Sequence, residues 1–249
     1  SKRYRLPASW FRQSCCNIEM QIMRILISQN APSKMNAYEA LQTKFGAELV
    51  FRPFFRIEPL SSREFRDQRI NLPDYTAIVF SSRHAIDAYF ALAEELRFKV
   101  PETMKYFCTT ELVANYLQKH IVYRKRKIFF GDGTPQSVVG LIGPKHKGEK
   151  FLITKSEGAS ATAITALFDK AGLDYTVGVL VKSVTQDLHD LDLDSFDIVV
   201  LYNQADVKSL YENFPDFKQG DVKFVSFGKG VVRHMEEAGL EIAVKAPTP

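Results

Sequence analysis

The stretch Ala77-Ile78-Val79-Phe80-Ser81-Ser82-Arg83-His84-Ala85-Ile86-Asp87-Ala88 decides the fold. Its first four residues form a short apolar, β-rich run. Two serines follow where helix N-caps belong, since a hydroxyl oxygen accepts one of the free N–H groups of a first helical turn. An amphipathic stretch then runs from Arg83 to about Leu96. Strand, polar turn and helix, in that order, make the unit of a parallel sheet covered by helices.

The same unit recurs on both sides. Upstream, Ile25-Leu26-Ile27 reads as a strand. Asn36 to Phe45 reads as a helix with Tyr38, Leu41, Gln42 and Phe45 on one face, and Gly46 suits its end. Glu48 to Glu58 is β-rich but contains Pro53, which lacks a ladder donor; such a run lies at a sheet edge or passes between two structures. Downstream, Tyr106-Phe107-Cys108 precedes Thr109-Thr110 and a helix through Gln118. Lys127 to Phe130 then ends in the Gly131-Asp132-Gly133 turn.

The second half repeats the programme. Phe151-Leu152-Ile153 precedes a helix from Ser160 to Ala171, stopped by Gly172. Tyr175 to Val184 is a long strand. Ile198 to Leu201 leads to Asn203 and a helix through Tyr211; Phe224 to Phe227 leads to Gly228-Lys229-Gly230 and a helix to Ala238. Ile242 to Lys245 closes the chain as a strand. Ile25 aligns with Leu152 and Gly46 with Gly172, at offsets of 127 and 126; Ile78 aligns with Val199 and Phe107 with Val225, at 121 and 118. The fold class expected is α/β: two similar doubly wound parallel-sheet lobes. Ligands of such sheets bind beyond the carboxyl ends of the strands.

Composition bounds the function. The 249 residues are 45% hydrophobic and 25% charged, as in ordinary globular proteins. The net charge of +4 is uneven: residues 1–22 hold Lys2, Arg3, Arg5 and Arg12 against Glu19, leaving a nearly neutral body. That argues against a globally basic nucleic-acid binder. The first 22 residues lack the apolar core of a secretory signal, and no run of about 18 apolar residues would span a membrane. They read as an extension or a leftover of expression. Cys15, Cys16 and Cys108 have neither disulfide-framework nor metal-ligand spacing, which favours a reducing compartment.

No strong catalytic motif is present: neither a phosphate loop nor G-x-G-x-x-G follows a strand. His84, His120, His146, His189 and His234 are scattered without metal-ligand spacing. Arg124-Lys125-Arg126-Lys127 reads as a solvated strand edge that blocks sheet pairing, with a phosphate-contact patch as the sharper alternative. What remains is a set of polar turns after strands. They are Gln29-Asn30, Ser81-Ser82-Arg83, Thr109-Thr110, Lys155-Ser156, Asn203-Gln204 and Gly228-Lys229-Gly230. Each alone is explained by helix capping. Together they offer hydroxyls, amides, N–H groups and cations to a large ligand with several carboxylates.

At these residues the chain resembles the uroporphyrinogen-III synthase family, in a divergent bacterial form. Ile78 to Ala88 is similar to the family's "IFTS-x-x-AV-x-A" segment. Phe224 to Leu240 is similar to "AIGPTTA…GL", and Ala246-Pro247-Thr248-Pro249 to the "PTP" near the family's end. The resemblance spans about residues 23–249. It implies a first lobe of residues 23–53 plus 184–249 and a second lobe of 58–178. Long strands would cross at Arg52–Glu58 and Val177–Val184. It also implies a lyase that closes hydroxymethylbilane, a linear tetrapyrrole with eight carboxylates, while inverting the last pyrrole ring. No cofactor or metal is expected, and the protein would act as a cytoplasmic monomer with neither nucleic acid nor membrane as partner.

The expected substrate-binding residues are Ser81, Ser82, Arg83, Thr109, Thr110, Lys155, Ser156, Lys182, Asn203, Gln204, Gly228, Lys229 and Gly230. Three stretches depart from the family pattern. Val181-Lys182-Ser183-Val184 stands for "Y-x-T-V", Leu201-Tyr202-Asn203-Gln204 for "FFSP", and Gly228-Lys229-Gly230-Val231-Val232 for "GPTTA". Lys182, Asn203 and Lys229 would replace lost hydroxyl contacts. The alternative is a catalytically impaired homologue that binds a tetrapyrrole or another polyanion.

Overall fold

The computed structural model describes residues 22–246. The chain enters through β1 (Arg24–Ile27), α1 (Asn36–Phe45) and β2 (Glu48–Phe51). It continues through β3 (Phe55–Pro59), α2 (Ser62–Arg66), β4 (Ala77–Phe80), α3 (Arg83–Glu95), β5 (Lys105–Cys108) and α4 (Glu111–Tyr116). Next come β6 (Ile128–Phe130), α5 (Pro135–Ile142), β7 (Lys150–Ser156), α6 (Thr162–Lys170) and the long β8 (Asp174–Thr185). It ends with β9 (Ile198–Leu201), α7 (Gln204–Asn213), β10 (Lys223–Phe227), α8 (Lys229–Glu237) and β11 (Ile242–Ala246).

These elements divide into two compact units. One joins the chain up to Phe55 with the chain from Thr185; the other is Arg56–Val184. The first holds a five-stranded sheet of order β11-β10-β9-β1-β2, the second a six-stranded sheet of order β3-β8-β7-β4-β5-β6. The expected α/β class, with two mainly parallel sheets, is therefore what forms. The proline argument also holds. Pro53 lies in the gap between β2 and β3, and each of those strands is an edge of its own sheet.

Register makes the repeat explicit. In the first sheet Val50, Leu26, Val199, Phe224 and Ile242 lie in one row; in the second, Thr176, Leu152, Ile78, Tyr106 and Ile128 do. Leu152 thus corresponds to Leu26 rather than to Ile25. This brings the first strand to the same 126-residue offset as Gly46 and Gly172. Those two glycines are left-handed, at φ 62° and 67°, where α1 and α6 stop. An L side chain is strained in that region, so glycine ends both helices.

The unit of Arg56–Val184 is covered on both faces. Ile78 and Phe80 of β4 face a core with Ile86, Tyr89, Tyr106 and Leu152, while Ala77 and Val79 face another with Phe107, Phe151, Ile153 and Phe168. A strand buried on both sides has to be apolar at every position, which is why β4 reads as an unbroken run. The other unit packs a core on Leu26, Val199, Leu201, Phe224 and Met235.

Several elements differ from expectation. The run from Glu48 to Glu58 is two strands, not one. Helices α2 and α5 were not foreseen: α2 is closed by a reciprocal capping box between Ser61 and Glu64, and α5 begins at Pro135 behind the Thr134 cap. Proline suits a first helical position because that N–H needs no partner. In α1 the shared face is poorly covered, with Leu41 37% and Phe45 64% exposed. Lys127 is not solvated. It is buried and its ammonium donates to the Glu102 carbonyl at 3.2 Å.

Among the described residues, no helix is long and apolar enough to cross a membrane. Cys108 is fully buried, and burial pushes its thiol up to about 12. Only a thiolate alkylates readily. Iodoacetamide should therefore leave Cys108 unmodified in the native protein and label it on unfolding, as peptide mass spectrometry would read. Cys15 and Cys16 lie outside the described residues.

Candidate functional site

The assigned pairings β1 with β2, β1 with β9, β9 with β10 and β10 with β11 are parallel, as are β4 with β5, β4 with β7, β5 with β6 and β7 with β8. Their carboxyl ends therefore line up along one edge of each sheet. In the unit of Arg56–Val184 that edge carries Ser81-Ser82-Arg83, Thr109-Thr110, Gly131-Asp132-Gly133, Lys155-Ser156 and Lys182. In the other unit it carries Ser28-Gln29-Asn30, Arg52, Tyr202-Asn203-Gln204 and Gly228-Lys229-Gly230.

In the Arg56–Val184 unit, capping fixes the turns. The Ser82 hydroxyl accepts the Ala85 N–H at 3.1 Å, and Thr110 accepts the Val113 N–H at 3.3 Å. Gly133 donates its N–H to the Thr109 carbonyl at 2.8 Å, so the turns after β5 and β6 adjoin. Ser81 and Arg83 are exposed, with the Arg83 guanidinium 5.7 Å from the Tyr116 ring centroid. Two cations are tethered. Lys155 donates to the Ala159 carbonyl at 2.7 Å, and Lys182 bonds both Glu64 oxygens at 3.0 and 3.2 Å. The Glu64 carboxylate holds Lys182 above the usual lysine range, and Lys182 with Ser61 draws Glu64 below the usual carboxylate range. Ser156 is half-buried at the end of β7.

In the other unit, Gly228 is the N-cap of α8 and Lys229 its first residue, so Lys229 and Gly230 belong to the helix rather than to a free loop. Both are exposed, as are Asn203 and Gln204. A methyl group on Gly230 would lie 3.7 Å from the Gln204 amide nitrogen, so the turns after β9 and β10 meet here. Arg52 closes the row. It grips the Asp190 carboxylate with two nitrogens at 2.7 and 2.8 Å and the Asp187 carbonyl at 2.9 Å.

Three residues of this edge were missed as candidates from the sequence. Tyr202 stacks on Phe227 at 5.2 Å between ring centroids, and burial, with Tyr38 beside it, pushes its phenol up to about 12. Ser28 and Asp206 are buried and bonded to each other at 2.9 Å. The available signal was the Asn203-x-x-Asp206 spacing of a capping box.

Among the described residues, no group of three or more His, Cys, Asp or Glu is placed to hold a metal ion. A cavity of about 500 Å³ lies elsewhere, lined by Phe90, Phe98, Tyr106, His120 and Lys127 at the amino ends of β5 and β6. Its walls contain none of the turn residues. The chemistry these edges offer is recognition: hydroxyls, amides, N–H groups and five cations, with no nucleophile–base pair among them.

Comparison with known proteins bears on the family and the fold. The family model described as uroporphyrinogen-III synthase HemD matches residues 36–249. The fold is similar to that of uroporphyrinogen-III synthetase from Helicobacter pylori. That likeness has a TM-score of 0.58 and 15% identity, over 92% of this chain and 94% of that one. It is also similar to a mutant uroporphyrinogen III synthase from the extremely thermophilic bacterium Thermus thermophilus. Here the TM-score is 0.52 and the identity 15%, over 91% and 93% of the two chains. No curated protein sequence matches the chain.

Proposed function

Since the chain belongs to the uroporphyrinogen-III synthase family, we propose that it is itself a working cyclase of that kind. Its substrate would be hydroxymethylbilane, the linear tetrapyrrole with eight carboxylates. It would release water from the hydroxymethyl carbon and close the ring with the last pyrrole inverted, through a spiro intermediate. The observation that carries the reading is the continuous family match over residues 36–249, joined to two sheet edges lined with polar turns.

The substrate supplies much of the reactivity, since closure without assistance proceeds to the uninverted isomer. What a protein must add is conformation: the two chain ends held close and correctly turned. Such positioning is worth several kcal/mol of barrier without any covalent catalyst. The proposed contacts are Ser81, Ser82, Arg83, Thr109, Thr110, Lys155, Ser156, Lys182, Asn203, Gln204, Gly228, Lys229 and Gly230. Charge-assisted bonds from Arg83, Lys155, Lys182 and Lys229 would meet side-chain carboxylates of the bilane. Hydroxyls and turn N–H groups would meet the rest.

The same reading takes the protein to act as a cytoplasmic monomer on a small molecule, with neither nucleic acid nor membrane as partner. The test supplies freshly prepared hydroxymethylbilane and separates the isomers formed. Type III product above the spontaneous background is the expected result. Tight binding with only type I product would instead identify a binding protein.

A further inference from the structure

Asp206 is completely buried, and one of its oxygens holds the edge of its sheet together. Its Oδ2 accepts the Ser28 hydroxyl at 2.9 Å, the Tyr202 N–H at 2.9 Å and the Asn203 N–H at 3.0 Å. Its Oδ1 is buried with no hydrogen-bond partner among the described residues. Three donors from the ends of two strands thus converge on one atom.

The repeat shows that the fold does not require this arrangement. Counting on from the matched rows, Asp206 corresponds to Ala85 and Ser28 to Thr154. At Ala85 the turn is capped by a hydroxyl, Ser82, and the Thr154 hydroxyl donates instead to the Val79 carbonyl at 2.7 Å. A buried carboxyl costs free energy that a serine cap avoids. The unit that carries it gains a turn held from inside. Tyr202 and Asn203 have their N–H groups fixed inward, the Tyr202 ring lies on Phe227, and Asn203 and Gln204 stand exposed beside Gly230.

We propose that Asp206 is a positioning residue: it sets the Tyr202–Gln204 turn for substrate, as a hydrogen-bond hub and not as a charge. This rests on the reading of that turn as part of the bilane site. It has an unusual consequence. Because these three bonds all end on Oδ2, asparagine can place its carbonyl there and its NH2 where Oδ1 stands. Asp206→Asn keeps the hub, whereas Asp206→Ala removes it.

The experiment measures kcat and KM for hydroxymethylbilane and amide hydrogen exchange at Tyr202 and Asn203, in the full-length wild type and three variants. Asp206→Asn should stay within about threefold of wild type in kcat/KM and keep both amides slow. Asp206→Ala should lose about 100-fold, the scale of a displaced positioning element, with both amides exchanging faster. Ser28→Ala removes one bond of the three and should lose about fivefold. This variant keeps the test decisive if Asp206→Ala does not fold.

Asp206→Ala with wild-type kcat and KM would overturn the proposal, even with a lowered melting temperature. So would an inactive, folded Asp206→Asn, which would make the charge a participant. A wild type that makes no type III isomer defeats the functional reading instead. Unchanged Tyr202 and Asn203 exchange in Asp206→Ala would then still defeat the hub.

Discussion

Phe107→Ala should destabilise the Arg56–Val184 unit by about 3–5 kcal/mol, the usual cost of deleting a fully buried phenyl ring. Phe107 is the third residue of β5, in an interior strand, and none of its surface is exposed. Its ring packs on Phe129 at 4.9 Å, on His146 at 5.5 Å and on Phe151 at 5.6 Å between centroids. Phe151 in turn meets Phe168 of α6 at 5.2 Å. Alanine would leave a ring-sized void between two strands and two helices, and parallel strands cannot slide to fill it without breaking register. Urea unfolding followed by circular dichroism should show the midpoint fall, with the transition assigned to this unit. A shift worth less than about 1 kcal/mol would mean that this face of the sheet is not a packed core.

Asn213→Ala should cost about 3–5 kcal/mol in the other unit, for a polar reason. Asn213 is the last residue of α7 and is 6% exposed. Its Nδ2 donates to the Gln186 carbonyl at 2.9 Å and the Ser209 carbonyl at 3.0 Å, and its Oδ1 accepts the Leu188 N–H at 2.9 Å. One turn earlier, the Ser209 hydroxyl donates to the Phe54 carbonyl, which also accepts the Gln186 N–H at 2.9 Å. Helix α7 therefore pins both places where the chain leaves and re-enters its unit. A buried group left without a partner costs about 1–3 kcal/mol, and alanine removes the acceptor of the Leu188 N–H together with the donor that ties the Gln186 and Ser209 carbonyls. Asn213→Asp should restore only the acceptor and recover part of the loss. Equal stability of wild type and Asn213→Ala would show that water satisfies these groups.

Much of this architecture was legible because it rests on local rules. Strand β4 announces itself as four apolar residues with a serine cap behind them, since a strand covered on both faces tolerates nothing polar. Pro53 marked the break between sheets through its missing donor. The repeat was visible too, though Ile25 was matched to Leu152 one residue out of register; only pairing with Val199 and Val50 fixes the row. Helix α5 escaped because its Gly131-Asp132-Gly133 opening looks like an ordinary turn.

The site was harder for a different reason. Turn residues such as Ser82 and Thr110 stand out as candidates because helix-capping residues and ligand contacts have the same chemistry, and the structure shows them in the capping role. Asp206 is not legible in the same way, because its bond to Ser28 joins residues 178 positions apart that no local pattern links. Lys127 misled in the opposite direction. A four-residue basic run looks solvated, yet its last member turns inward to the Glu102 carbonyl.

The most direct test of the central claim is the isomer distribution from freshly prepared hydroxymethylbilane with the purified full-length chain. A functional member of the family should yield uroporphyrinogen III as the main product, formed faster than spontaneous closure and in proportion to protein concentration. Type I product alone, at the rate seen without protein, would contradict the account.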